Sequence, residues 1–312
     1  MTRHKKPRRD VAQEITDRII KALEAGAPPW KQPWKNGLGA LQPLRNTGAP
    51  YTGMNVLILW DRASEMGFEN PRWMTFRQSL ELGGHVRKGE KSVAIIYYGT
   101  TTKRQEDDQG EEVDETIRFL KCYPVFNVEQ IDDLPAHFYQ HHRSEIEKTP
   151  PPSEREAFFG RIGAAVRHGG DRAFYRRSED FIQMPPYGAF DDPERYFATR
   201  AHETVHWSGA PHRLDRTKGK TCGDTKYAFE ELVAEIGSAI LGANIGLRPD
   251  HVEDHAAYVG SWLKALKNDK RFILKAAADA QKAADFVLAR AGRPTSDTVQ
   301  QNADDSRVRS AA

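Results

Sequence analysis

The chain has 312 residues, of which 38% are hydrophobic, 10% aromatic and 29% charged, a composition that supports packed cores in about two domains. No stretch approaches the ~18 consecutive apolar residues of a membrane span, the charged start lacks the apolar region of a secretory signal, and two cysteines, Cys122 and Cys222, exclude a disulfide framework or a thiolate-built zinc site. A cytoplasmic protein without a membrane partner is expected, and at a net charge of +2 any nucleic-acid signal must be local rather than global.

Residues 1–9 carry Arg3, Lys5, Lys6, Arg8 and Arg9 with nothing apolar to pack, so a disordered basic arm is expected. Val11, Ile15, Ile19 and Leu23 then repeat every four residues, with Asp10 to cap the start and Gly26 to end the helix. Pro28, Pro29 and Pro33 impose an extended loop that carries Trp30, Lys31, Trp34 and Lys35. Helical pieces are expected over 54–66 and 75–82, then strands over 92–98 and 116–128. The acidic segment between them, 103–115, reads as a hairpin excursion or a disordered loop. Pro150, Pro151 and Pro152 mark a connection over 146–156. Beyond it the pattern turns helical: 194–208, with Asp192 as cap and Pro193 in the first turn, then 228–243, 251–266 and 269–290. The polar residues 293–312 read as a disordered tail.

The sharpest motif is Ala201-His202-Glu203-Thr204-Val205-His206. Two histidines at i and i+4 share one helix face, so both can reach one metal ion. Glu203, one residue along, can act as a general base without being a ligand, the arrangement of zinc proteases. Tetrahedral zinc needs a third protein ligand. The downstream helix offers Glu230, Glu231 and Glu235. Glu231 leads the other two as ligand, and Glu235 is expected to accept a hydrogen bond from a ligand histidine. Zinc is the expected ion, and manganese or another divalent metal also suits these donors. The clusters His137, His141, His142 and His251, His255 read as surface or capping groups. Tyr227, His212 and Tyr258 are candidates for stabilising an oxyanion.

A second signal lies in the first half. Trp30, Trp34, Tyr51 and Trp73 are interleaved with Lys31, Lys35 and Arg45, and Arg87, Lys88 and Lys91 form a basic turn before a strand. Aromatic faces for bases beside cations for phosphates are what single-strand binders combine. No zinc finger or recognition-helix pattern points to duplex reading.

Several of these stretches resemble the plasmid antirestriction family ArdC and the N-terminal region of TraC-type primases. In the first half they are Pro33-Trp34, Pro43-Leu44-Arg45-Asn46-Thr47-Gly48 leading into Tyr51-Thr52-Gly53-Met54-Asn55, Gly84-His85-Val86-Arg87-Lys88-Gly89-Glu90-Lys91 and Val125-Phe126-Asn127-Val128-Glu129-Gln130. In the second half they are Ala201-His202-Glu203-Thr204-Val205-His206-Trp207-Ser208-Gly209 and Tyr227-Ala228-Phe229-Glu230-Glu231-Leu232-Val233-Ala234-Glu235. The resemblance implies an α+β protein with a mixed α/β single-stranded-DNA-binding domain over 10–145 and a mainly helical zincin-like metallopeptidase domain of gluzincin pattern over 157–292. It also implies protection of incoming conjugated DNA from host restriction. Single-stranded DNA is then the expected partner, with a protein substrate or host restriction component as a further one. Two alternatives stand beside this: a non-catalytic DNA shield with a structural metal site, and a peptidase that does not bind DNA. The first half is expected to bind DNA as a fragment on its own.

Overall fold

A computed structural model describes residues 10–30, 41–106, 112–140, 152–216, 225–247 and 256–298. Asp10 caps helix α1 (Val11–Glu24) by accepting a hydrogen bond from the Gln13 amide, and the helix buries Ile15, Thr16, Ile19 and Leu23. A 14-residue helix is marginal in water by itself. Burying three aliphatic side chains at ~1.5–3 kcal/mol each holds it in place. Helix α2 (Met54–Met66) has the bounds expected from sequence and ends at Gly67, whose φ of 72° is one that glycine adopts without strain. Helix α3 (Phe76–Glu81) starts at a capping box of Thr75 and Gln78.

One sheet of the first half joins β1 (Leu44–Arg45), β2 (Arg72–Met74), β4 (Val93–Glu106) and β5 (Glu112–Asn127) in the order β1-β2-β5-β4. β3 (His85–Val86) pairs with β6 (Ile131–Asp132). β4 and β5 are longer than expected. Their antiparallel register runs from Val93↔Val125 to Glu106↔Glu112, so most of the acidic segment is a hairpin, with its tip outside the described residues.

In the second half, helix α4 (Pro152–Ile162) begins inside the expected 146–156 connection. Arg155 on it forms a buried ion pair with Glu194, and Arg200 bonds Glu156 at 2.6 Å. A sheet absent from the sequence-based expectation follows: β7 (Ala165–His168), β8 (Phe174–Arg176) and β9 (Phe181–Met184), in the order β7-β9-β8. Helices α5 (Pro193–Ser208), α6 (Thr225–Ile245), α7 (Ala256–Asn268) and α8 (Phe272–Arg290) complete this α+β architecture. Residues 293–298 are not a free tail at their start, because the Ser296 hydroxyl and amide both bond Asp285 (2.7 and 3.0 Å). The basic arm 1–9, most of the 146–156 connection and the rest of the tail lie outside the described residues, as do Lys31, Trp34 and Lys35.

The packing does not stop at the boundary near residue 150. One hydrophobic core contains Ile15, Leu57 and Trp60 from the first half and Leu232, Ile236 and Ile273 from the second. Trp30, expected to be exposed, is 1% exposed and packs edge-on against Trp262 at 6.2 Å. The Thr16 hydroxyl donates to the Lys270 carbonyl (2.8 Å), and the Gly53 amide donates to Gln281 (3.0 Å). A fragment ending near residue 145 would leave this face in water.

The Trp30→Ala variant of the full chain should lose about 3–5 kcal/mol of stability in urea melts, the range for deleting a large buried aromatic. An unchanged midpoint would place the ring outside the core. The 1–145 fragment should in turn lack a cooperative melt.

Candidate metal centre

Helix α5 is the most enclosed element of the second half, with every residue from Tyr196 to Ser208 buried. The Asp192 carboxylate caps it through the Glu194 amide, and Gly209 closes it. The i, i+4 spacing sets the His202 and His206 rings 4.8 Å apart at 80°. Helix α6 packs across them and brings Glu231 between them. One of its carboxylate oxygens lies 3.7 Å from His202 Nε2 and the other 3.5 Å from His206 Nε2. Donor atoms of His202, His206 and Glu231 all lie within 4.8 Å of one another, and all three residues are buried. Two imidazoles and a carboxylate converging in this way fit a divalent transition metal, which takes this donor set in catalytic sites and keeps a fourth position open.

The groups behind these donors differ in part from the expectation. His206 Nδ1 lies 3.2 Å from Glu230, so for this histidine the outer contact is made by Glu230 rather than Glu235. Glu235 is fully buried one turn beyond Glu231, about 6 Å further along the helix axis. Glu230 is in turn gripped by Arg216, whose Nε and Nη2 donate to its two oxygens at 3.1 and 2.9 Å. Arg216 also donates to the Ser208 hydroxyl (2.9 Å) and the Val205 carbonyl (2.6 Å), fastening the end of α5 to the start of α6. Gly209 makes room for this, because a Cβ there would come within 2.9 Å of Arg216 Nη2. Burial pushes the Glu230 carboxyl up, but hydrogen bonds from His206 and Arg216 outweigh it and hold its pKa at about 2. Burial acts on Glu231 in the same sense, and the two imidazoles beside it drive it well below the usual carboxylate range. Both glutamates are therefore charged. Arg216 was missed from sequence because it follows the motif by ten residues in a turn with no periodicity.

Glu203 sits on α5 beside His202, 8% exposed. Of the three oxyanion candidates, Tyr227 and Tyr258 meet through their hydroxyls at 3.3 Å. Burial first, then Tyr258 and Glu231, push the Tyr227 phenol up, which keeps it a neutral donor beside the Glu231 carboxylate. His212 instead faces Asp180 (3.3 Å) at the surface. His137 lies in a short 3-10 turn with its ring against Phe138. His141, His142, His251 and His255 lie outside the described residues.

The structure places the expected DNA-binding residues unevenly. Trp73 is 2% exposed and packs edge-on to Phe68, and Tyr51 is buried beneath the Arg45 guanidinium, so neither ring offers a free stacking face. The cause for Trp73 is its place on β2 at the centre of a sheet; for Trp30 it is Trp262. Arg87 is tied to Glu90 and Asp132, while Lys88 and Lys91 are exposed.

The second half is thus a zincin-like domain: residues 153–279 match the family described as zincin-like metallopeptidase. Residues 9–126 match the N-terminal domain of anti-restriction factor ArdC. The chain belongs to the ArdC antirestriction family. It is similar to the crystal structure of ArdC from plasmid R388 in its metal-free form, at 45% identity and a TM-score of 0.78, covering 91% of this chain and 98% of that one. It is also similar to the Mn(II)-bound form, at 44% identity and a TM-score of 0.76. Protein y4eC of Sinorhizobium fredii is 37% identical over 90% of this chain and 92% of its own length. DNA primase TraC of Escherichia coli is 41% identical over 89% of this chain, and this chain spans 27% of that primase's length. No helix among the described residues is long and apolar enough to cross a membrane.

Two outcomes follow. Arg216→Ala leaves a buried charged Glu230 without its main partner and should destabilise the chain by about 3–5 kcal/mol; a melt within ~1 kcal/mol of wild type would show that Arg216 does not carry this charge. Away from the metal donors, hydrogen bonds from Arg213 hold the Asp180 carboxyl at about 2 against burial. Its folded pKa is below the unfolded value of ~3.9, so its contribution is present above about pH 4 and lost as pH falls through about 2. The stability gap between wild type and Asp180→Asn should therefore narrow from pH 5 to pH 2. A gap independent of pH would contradict the pairing.

Proposed function

We propose that this chain is a metal-dependent antirestriction protein: it binds single-stranded DNA through its first half, carries a peptidase-type metal site in its second, and protects incoming plasmid DNA from host restriction. The observation that carries the reading is the buried convergence of His202, His206 and Glu231 beside Glu203. His202, His206 and Glu231 would hold the ion, zinc or manganese. The Mn(II)-bound structure of R388 ArdC supports a divalent ion. A divalent metal in such a site supplies a Lewis acid that polarises a carbonyl and lowers the pKa of water to about 7.

The chain's own residues supply the rest. The Glu203 carboxylate takes a proton from the attacking water and passes it to the leaving nitrogen. Glu230 orients the His206 ring by holding its Nδ1, so that Nε2 faces inward. Arg216 keeps Glu230 charged and fixed. Tyr227 offers a neutral hydroxyl donor at the rim. A protein substrate or host restriction component is the further partner this chemistry calls for.

Elemental analysis of the purified chain, reloaded with zinc or manganese, should find one ion per chain. His202→Ala and His206→Ala should lose it, and Glu231→Ala should hold it more weakly. Glu203→Ala should retain the ion and lose hydrolysis of a peptide library by about 10²–10⁴-fold. Metal uptake unaffected by both histidine changes would overturn the site, and undiminished hydrolysis in Glu203→Ala would overturn the base. No hydrolysis by the loaded wild type would favour a DNA shield with a structural ion.

A further inference from the structure

Of the aromatic faces nominated by sequence, those of Trp30, Tyr51 and Trp73 are buried, and a different set is open. On the β4–β5 ribbon, Tyr97 pairs with Lys121, Ile95 with Tyr123 and Gly99 with Phe119. Residues directly opposite in an antiparallel pair share a face. Tyr97, Tyr123, Phe119 and Lys121 therefore lie together on one side. Tyr97 is 54% and Tyr123 42% exposed. Their rings form a strip, with Tyr97 6.3 Å from Phe119 and 6.3 Å from Tyr123. Lys121 Nζ sits 4.8 Å from the centre of the Phe119 ring. Gly99 lets that ring lie across the strand, since a Cβ there would come within 2.3 Å of it.

The strip runs into a groove of about 580 Å³ that Tyr97 and Tyr123 line together with Arg45 and, from α8, Gln281. No aspartate or glutamate is among its described lining residues, although the chain carries 44 of them. Arg45 lies over the Tyr51 ring, and its Nε makes no hydrogen bond among the described residues. Open aromatic faces, cations at both ends and no carboxylate between them match a ligand with flat apolar faces and a negative backbone.

We propose that the strip built on Tyr97, Tyr123 and Phe119 and the Arg45 groove are where single-stranded DNA lies, its bases on Tyr97 and Tyr123 and its phosphates near Lys121 and Arg45. This rests on the single-strand reading above and supplies its location. Tyr97 and Tyr123 meet at 73°, so each ring faces a separate base. Bases in a duplex are already covered by their stacked neighbours, whereas a single strand can unstack and lay a base on each ring; every base offers a π-face, so binding is tolerant of sequence. Most of the groove's lining belongs to the first half, and Leu274, Ala278 and Gln281 come from α8.

The test uses the full chain and fluorescence anisotropy with a 20-nucleotide oligo-dT and a duplex of equal length. Tyr97→Ala and Tyr123→Ala should each weaken oligo-dT binding about 5- to 150-fold, the fold-change of one lost stacked base, with thermal melts unchanged because both rings are exposed. Tyr97→Phe keeps the ring and should bind within about 3-fold of wild type. A bromodeoxyuridine oligonucleotide, photo-cross-linked to wild type, should label the peptides holding Tyr97 and Tyr123; this arm does not depend on any variant folding. If wild type binds oligo-dT but both alanine variants bind equally well, or the cross-links fall only elsewhere, the location is wrong and the single-strand reading stands. If wild type binds no oligo-dT, or binds duplex as tightly, both fail.

Discussion

Helix α6 lies so close against α5 that a single side chain would separate them. A Cβ at Gly237 would come within 3.0 Å of Val205 Cγ1 on one side and 3.4 Å of the Ala280 carbonyl on the other. Val205 sits one residue before His206, so this contact sets how far α6 stands from the histidine face. At that distance Glu231 reaches both rings. The approach also carries Glu230, Glu231 and Glu235 out of water together, which is unfavourable for carboxylates unless each is met by a partner. Arg216 and His206 meet Glu230, and His202 and His206 meet Glu231. The donors are thus held by packing and by hydrogen bonds from behind.

The same packing extends through the molecule. Helix α8 shows alanines 276, 277, 280, 283 and 284 fully buried, and such small side chains let neighbouring elements come near. From that helix Gln281 reaches the amide of Gly53 at the head of α2. The first half is therefore built onto the helices of the metal half through one core. Helix α8 lines the Arg45 groove through Gln281 and also packs against α5 and α6.

Much of the metal half was legible because its signals are local. A cap at Asp192, a stop at Gly209 and two histidines four residues apart are read within one helix, and Glu231 follows from the phase of the next. What was not legible depends on partners distant in sequence. Trp30 sits in a proline-flanked stretch that reads as exposed, and what buries it is Trp262, far downstream. Trp73 looks like a surface ring until β2 is placed between β1 and β5. The choice of Glu230 over Glu235 behind His206 turns on Arg216, which no periodicity marks. Strands β7 to β9 are three or four residues long, too short for alternation to show. The open tyrosines were hidden for the opposite reason: they lie in two strands, β4 and β5, that read as apolar runs.

X-ray absorption on the zinc-loaded chain measures the metal's neighbours directly. Two imidazole nitrogens and carboxylate oxygen at about 2.0–2.2 Å are expected, with the carboxylate contribution lost in Glu231→Gln and retained in Glu230→Gln. A shell without imidazole, or one that Glu231→Gln leaves unchanged, would contradict the assignment of the ion to the α5–α6 contact.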